Sequence, residues 1–233
     1  MNINTEEYKF KIELHCHSKN YSPCGHFSAK EIVEKYKAKG YDGVVLSNHF
    51  FINDKYLIDK KGYGDFFLEG YLEFQEECKK AGIVPYLGME IRFNKISNND
   101  FLLYGINKDD IYGALEYLDK DLETFYKEFK RDDILIFQAH PYRNGCTPEK
   151  PDFLDGAEAF NMHPGHNNRP PRAVKFAKEN NLLICGGSDF HEEGREAMIA
   201  TCTKTLPENE KELFEILKAQ DFILNMQGSI IIP

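Results

Sequence analysis

Long apolar runs are missing from this chain. None approaches the ~18 residues that mark a membrane-spanning helix, so no span is expected. The amino-terminal Met1-Asn2-Ile3-Asn4-Thr5-Glu6-Glu7 has no apolar segment either, so no secretory leader is expected. Cysteine is scarce and scattered. The six residues (Cys16, Cys24, Cys78, Cys146, Cys185 and Cys202) include no Cys-x-x-Cys pair, which speaks against a disulfide framework or zinc ribbon and for reduced thiols in the cytoplasm. Positive charge is in short supply, with 29 Lys and Arg against 38 Asp and Glu, a net charge of −9. That balance disfavours long nucleic acid as a partner but leaves room for one basic pocket that takes a phosphate. There is no Gly-x-Ser-x-Gly and no Cys–His pair with a clear orienting group, so a protein nucleophile is not expected. Internal repeats, low-complexity tracts and linkers are absent as well.

What the chain does have is alternation. At 233 residues, 42% apolar and 29% charged, it can form two small domains or one α/β barrel, with a sizeable core and a solvated surface. Lys9-Phe10-Lys11-Ile12-Glu13-Leu14 alternates at period two, the mark of a strand. Phe10, Ile12 and Leu14 then share one face, and Glu13, His15 and His17 the other. Ser28-Ala29-Lys30-Glu31 forms a capping box that opens a helix with Ile32, Val33 and Tyr36 as its apolar stripe and Gly40 as its end. Val44-Val45-Leu46 is apolar on both faces, as a covered parallel strand should be. Further strands are expected at 83–87, 101–104, 134–137, 156–160, 182–185 and near 198–201. Helices are expected near 68–80, within 110–130 and near 171–180 and 208–219, with a short apolar ending at Ile230-Ile231-Ile232. Repeated strand–helix units imply a parallel sheet. Six or seven of them imply a closed or nearly closed barrel spanning residues 1–233 as one domain.

None of the eight histidines (15, 17, 26, 49, 140, 163, 166 and 191) falls in an expected helix. Several follow short apolar runs, in company with carboxylates. His15 and His17 lie in Glu13-Leu14-His15-Cys16-His17, His49 in Ser47-Asn48-His49, and Glu90 in Gly88-Met89-Glu90. His140 lies in Ala139-His140-Pro141-Tyr142-Arg143, and Asp189 and His191 in Gly187-Ser188-Asp189-Phe190-His191. A barrel gathers the ends of its strands onto one face, where residues distant in sequence meet. Imidazoles with a few carboxylates suit zinc, manganese or iron better than magnesium or calcium, which prefer oxygen shells. The pattern is that of a metallohydrolase.

Taken together, His15-x-His17, Asn48-His49, Gly-x-Glu90, Ala-His140-Pro-x-Arg143 and Gly-Ser-Asp189-x-His191 resemble the PHP family, named for polymerases and histidinol phosphatases. They occur in the family's order across residues 9–200. The resemblance implies a distorted seven-stranded (β/α) TIM-like barrel. It also implies two or three divalent metals at the carboxyl ends of the strands, and hydrolysis of phosphate esters. Carried over by motif, His15, His17, Glu90 and Asp189 form one metal site, Glu90 bridges to a second held by His140, and His49 and His191 hold a third. Three positions depart from the family. Asn48 stands where an Asp is usual. Cys24 or His26 stands where the first motif continues to an acidic or histidine ligand. Only Asp100 stands where some relatives place a further histidine.

Phosphate-ester hydrolysis fits these residues. Clustered cations neutralise phosphoryl charge and lower the pKa of a bridging water, so that hydroxide attacks near neutral pH. Glu90, Asp189 and His191 are the expected catalytic positions within that cluster. Arg143 and Arg195 can each grip a phosphate with a forked guanidinium, or form surface salt bridges instead. Glu13 can orient a ligand ring. His163 and His166 line the pocket or make a plain turn. The leading expectation is a phosphoesterase acting on a small phosphomonoester or nucleotide. An amidohydrolase-like hydrolase of C–N bonds is the second, although no lysine stands at a strand end where a carbamate bridge would form. A catalytically silent metal-binding module is the third.

Overall fold

The computed structural model describes residues 4–93 and 98–233, so the first three residues of the amino-terminal segment lie outside the described residues. The chain enters β1 (Phe10–Cys16) and then α1 (Ala29–Ala38). The Ser28 side chain accepts the Glu31 N–H, and the Glu31 carboxylate accepts the Ser28 N–H at 2.8 Å, the reciprocal cap expected from sequence. β2 (Gly43–Leu46) is buried throughout and leads into the short β3 (His49–Phe50). A short α2 (Asp54–Ile58) precedes α3 (Lys60–Ala81), which starts well before the expected residue 68. Gly62, Gly64 and Gly70 blur its helical signal. Gly70 is there for contact: a Cβ on it would lie 2.5 Å from the Tyr21 ring.

Gly82 ends α3 in the left-handed region at φ 68°, and β4 (Val84–Leu87), β5 (Met89–Ile91) and β6 (Phe101–Tyr104) follow. The 110–130 region resolves into two helices, α4 (Lys108–Leu115) and α5 (Leu122–Glu128). Then come β7 (Leu135–Gln138), β8 (Gly156–Asn161), α6 (Pro170–Glu179), β9 (Leu183–Gly187), β10 (Ala200–Thr203) and α7 (Glu210–Ala219). The tail is a hairpin of β11 (Phe222–Met226) and β12 (Ser229–Ile231). β11 has no counterpart in the sequence reading, because its turn uses Gln227 at φ 50° beside Gly228 at φ 95°, and glutamine gives no turn signal.

The strands form two six-stranded sheets, ordered β12-β11-β10-β1-β2-β4 and β3-β5-β6-β7-β8-β9. This is a mixed α/β fold, and among the described residues its hydrogen-bonded ladders do not close into a single ring. The expectation of a parallel sheet is corrected. β6 runs antiparallel to both β5 and β7, and β10 antiparallel to β1. Residues 92–100 between β5 and β6 are too few for the dozen or so that a parallel crossover needs. The chain changes sheet at Ser47–Asn48, where β2 passes into β3, and at Gly88, where β4 passes into β5. On the other side a parallel bridge from Cys16 to Phe190 joins the end of β1 to the segment after β9. Ile12, Leu14, Val45, Tyr86, Leu102, Tyr104 and Phe137 form a core drawn from both sheets. α1 and α3 cover one flank through Ile32, Val33, Tyr36 and Phe74. Each such side chain contributes about 1.5–3 kcal/mol on burial.

Candidate metal centre

The residues of the expected cluster lie within or just past β1, β3, β5, β7 and β9. β1 shifts register against β2 between Glu13 and Cys16, and His15 and His17, two residues apart, both turn toward Glu90 and Asp189. Parallel pairing sets His49 of β3 directly beside Glu90 of β5. His140 and Asp189, just past β7 and β9, both hold left-handed backbone, at φ 31° and 51°. Such a conformation costs a residue with a Cβ about 1–3 kcal/mol and persists where its surroundings impose it.

The result is a knot of side chains around Glu90. Its Oε1 lies 3.4 Å from His15 Nε2 and 3.2 Å from His140 Nε2. Its Oε2 lies 3.4 Å from His17 Nε2 and 2.8 Å from His49 Nδ1. Asp189 Oδ1 stands 3.4 Å from His15 Nε2, 3.5 Å from His17 Nε2 and 3.4 Å from His191 Nδ1. Glu90, His15, His17, His140 and Asp189 are all buried. Yet His15 Nε2, His17 Nε2, His49 Nδ1 and Glu90 Oε2 have no hydrogen-bond partner among the described residues. His49 Nδ1 and Glu90 Oε2 are close but not aligned as donor and acceptor. Buried polar atoms left unsatisfied cost about 1–3 kcal/mol each, so four that converge on one place call for a common partner. Their chemistry, lone pairs of imidazole and carboxylate, suits a divalent cation.

The carboxylates of the cluster are held in their charged form. Burial raises the Glu90 carboxyl, but His49 and His15 outweigh it and hold the group well below the usual carboxylate range. Asp189 behaves likewise, with His15, His17 and His191 overcoming burial. Burial lowers His15, yet Glu158, Asp189 and Glu90 together carry it well above the ordinary imidazole value. His17 goes the other way. Burial and then neighbouring His191 push it well below, so its ring is neutral, the form that ligates metal. His140 rises to about 10: burial opposes this, and Cys146 and Glu90 drive it. Deprotonated acids among crowded imidazoles are what a cation site needs.

The sequence match agrees with this geometry. The pattern of the PHP domain covers residues 13–227. The chain belongs to the PHP domain family. No curated protein matches it in sequence. Among solved structures it is similar in fold to a two-domain Bacteroides vulgatus protein containing a predicted PHP-like metal-dependent phosphoesterase. That match has a TM-score of 0.67 and 18% identity and covers 97% of this chain and 67% of the other. It is also similar to a Bifidobacterium adolescentis protein proposed to be a metal-dependent phosphoesterase, with a TM-score of 0.52, 15% identity and coverage of 88% and 95%. A third is an amidohydrolase from Chromobacterium violaceum with bound sulfate, with a TM-score of 0.53, 14% identity and coverage of 79% and 89%.

Around the PHP cluster, several side chains stand elsewhere than expected. Glu13 does not reach a ligand ring. Its carboxylate accepts from the N–H groups of Leu14, His15 and Ser188 and from the Tyr36 hydroxyl of α1, because the register shift turns it toward the helix. The residue that orients His15 is Glu158, which sequence reasoning missed. Its Oε1 accepts from His15 Nδ1 at 2.8 Å, and its Oε2 accepts from His140 N and Asn161 Nδ2 at 3.1 and 2.9 Å. An acidic residue inside the apolar run Gly156-Ala157-Glu158-Ala159-Phe160 was the available signal. Asn48 Oδ1 accepts from Ser18 N at 2.8 Å, so the amide ties down the loop after β1. Asp100 is buried and held by Arg92 through contacts of 2.6 and 2.7 Å, and it lies 3.8 Å from His140 Nε2.

The two candidate arginines differ in placement. Arg143 is mostly buried, with Nη1 3.4 Å from Asp189 Oδ2 and Nη2 3.8 Å from Asp100 Oδ2, so its fork faces the cluster. Arg195 pairs with Glu192 at 3.0 Å on a more exposed surface. His163 is buried, its ring centroid 5.3 Å from that of His191, while the exposed His166 ring lies tilted against it at 4.5 Å. Burial lowers His163 to about 4. His26 is exposed and only its backbone N–H reaches the site, donating to the His191 carbonyl. Cys24 is half-buried. Burial raises its thiol, but hydrogen bonds with His191 and His49 outweigh that and bring it down to about 7.

Proposed function

We propose that this protein is a metal-dependent phosphoesterase that hydrolyses a small phosphomonoester or a nucleotide. The observation that carries the reading is the convergence of four unpartnered buried atoms, His15 Nε2, His17 Nε2, His49 Nδ1 and Glu90 Oε2, beside Asp189 and His140. In this reading His15, His17, Glu90 and Asp189 hold one divalent ion, and Glu90 with His140 holds a second beside Asp100. His49 and His191 serve a third. Zinc, manganese and iron fit the donor set. Residues 1–233 act as one unit in which the two sheets together form the distorted barrel, and the protein works in the cytoplasm.

Ions bound there would neutralise phosphoryl charge and bring the pKa of a bound water near neutrality. The chain's own residues do the rest. Glu90, with two oxygens turned to different imidazoles, fixes the spacing of the cluster. Asp189 and His191 would hold ions that activate the attacking water, and both serve as catalytic positions. Arg143 lies against Asp189 and Asp100, from which its planar fork can turn to two phosphate oxygens. Arg195, paired with Glu192, contributes at the rim. Glu158 holds the His15 ring by Nδ1, so that Nε2 faces Glu90 and Asp189 and would be free to take an ion. The net charge of −9 favours a small ester over a long nucleic acid, whose binding needs several phosphate contacts.

The test is a panel of phosphomonoesters, nucleotides, phosphodiesters and cyclic amides offered to purified, metal-reconstituted protein. Turnover concentrated on phosphomonoesters or nucleotides supports the reading. Turnover of cyclic amides alone would replace it with the amidohydrolase-like alternative, which the likeness to the Chromobacterium violaceum fold keeps in play. No turnover with metals bound would leave a silent metal-binding module.

A further inference from the structure

We propose that Cys24 is itself a metal ligand, joining His49 and His191 in a thiolate-containing site at the outer side of the cluster, with His17 at its inner edge. The inference rests on the metal reading above and adds a ligand to it. Cys24 Sγ and one ring nitrogen each of His17, His49 and His191 all lie within 4.8 Å of one another. His17 Nε2 and His49 Nδ1 are buried and have no hydrogen-bond partner among the described residues. His191 Nδ1 lies 2.6 Å from the Asp189 carbonyl oxygen, an acceptor that fixes the proton there and leaves Nε2 with its lone pair free.

The loop that carries the thiol is tied at both ends to the same residues. Ser22 Oγ accepts from the His49 N–H at 2.8 Å and lies 3.1 Å from His17 Nδ1. Ser22 N donates to Ser18 O at 3.0 Å, and Gly25 N to Ser22 O at 3.2 Å, which closes a tight turn around Cys24. The turn needs glycine, because a Cβ on Gly25 would come within 2.5 Å of the Ser18 carbonyl oxygen. His26 N then donates to His191 O at 3.2 Å. Loop and cluster therefore hold Cys24 at one place. The position expected to bring an oxygen or a third imidazole brings a sulfur instead. Thiolate with imidazole is a softer donor set than carboxylate with imidazole, so this site selects zinc or ferrous iron over manganese, while the Glu90–Asp189 side remains harder.

Cobalt reconstitution tests this directly, because a thiolate bound to Co²⁺ gives a near-ultraviolet charge-transfer band that imidazole and carboxylate do not. Apo protein is loaded with Co²⁺, bound cobalt is counted by elemental analysis, and the spectra of wild type, Cys24→Ser, Cys24→Asp and Cys146→Ser are compared. The expected result is a band in wild type and Cys146→Ser that is lost in both Cys24 variants. Cys24→Ser should hold about one ion fewer per chain, and Cys24→Asp, which supplies an oxygen, should recover it. Cobalt-loaded wild type without the band, or a band that survives Cys24→Ser, overturns the proposal while leaving the metal centre standing. Failure of wild type to bind cobalt at all overturns both this proposal and the metal reading beneath it.

Discussion

Glu158 offers a sharp test of how the cluster is held, because every group it meets is a donor. Oε1 receives the His15 Nδ1 proton at 2.8 Å, and Oε2 receives the His140 N–H and an Asn161 amide hydrogen. In Glu158→Gln, one oxygen becomes an NH₂ that must face a donor on one side or the other. At least one buried donor is then unmet, at about 1–3 kcal/mol of stability. If the NH₂ faces His15, the ring loses the acceptor that sets its tautomer and Nε2 is no longer committed to metal. Loss of such an orienting partner typically weakens metal binding about 10–100-fold, or about 1.4–2.7 kcal/mol. Calorimetric titration of apo protein with zinc or manganese reads the affinity, and urea unfolding reads the stability. Glu158→Ala, which leaves all three donors without an acceptor, should lose more on both. A Glu158→Gln protein that binds metal within about twofold of wild type would refute the idea that this carboxylate orients His15.

Arg143→Ala should lower kcat/KM on the best phosphoester by about 10²–10³-fold while bound metal stays unchanged, as expected for removal of one charge-stabilising donor. Arg143→Lys should recover only part, because a point charge does not reproduce the fork, and an unchanged kcat/KM in Arg143→Ala would end its phosphate role. Gly187→Ala would place a Cβ 2.4 Å from His15 Cβ and 2.9 Å from Glu158 Oε1. It should cost about 1–3 kcal/mol in urea unfolding and displace the His15 ring, so metal affinity should fall with stability, whereas wild-type values in both would show that the packing there is loose.

Much of the site is legible in the sequence because its residues sit at the ends of short apolar runs, and strand ends are what a β/α fold brings together. That placement singles out His15, His17, His49, Glu90, His140, Asp189 and His191, and the structure brings their side chains close together. The residues that support them were harder to read. Glu158 sits in mid-strand, where its approach to His15 depends on β8 lying across the site from β1. Glu13 lies two residues from His15 and looks like its natural partner, but one register shift in β1 sends it to Tyr36 of α1. Sheet direction was misread for a related reason. The periodicity of β6 is that of any buried strand, and only the shortness of residues 92–100 betrays that it must run antiparallel. The early start of α3 was hidden by glycines whose purpose is close packing against Tyr21 and Tyr112, a tertiary fact.

The central claim is that Glu90 and its neighbours form a metal centre, and the metal content of matched proteins tests it most directly. Wild type, His15→Ala, Glu90→Ala and Asp189→Ala are dialysed to equilibrium against zinc or manganese and counted by elemental analysis, with circular dichroism confirming the fold of each. Wild type should hold roughly two to three ions per chain. Each variant should hold fewer, and Glu90→Ala fewest, since its carboxylate oxygens face His15 and His140 on one side and His17 and His49 on the other. Equal metal content in wild type and all three folded variants would contradict the account.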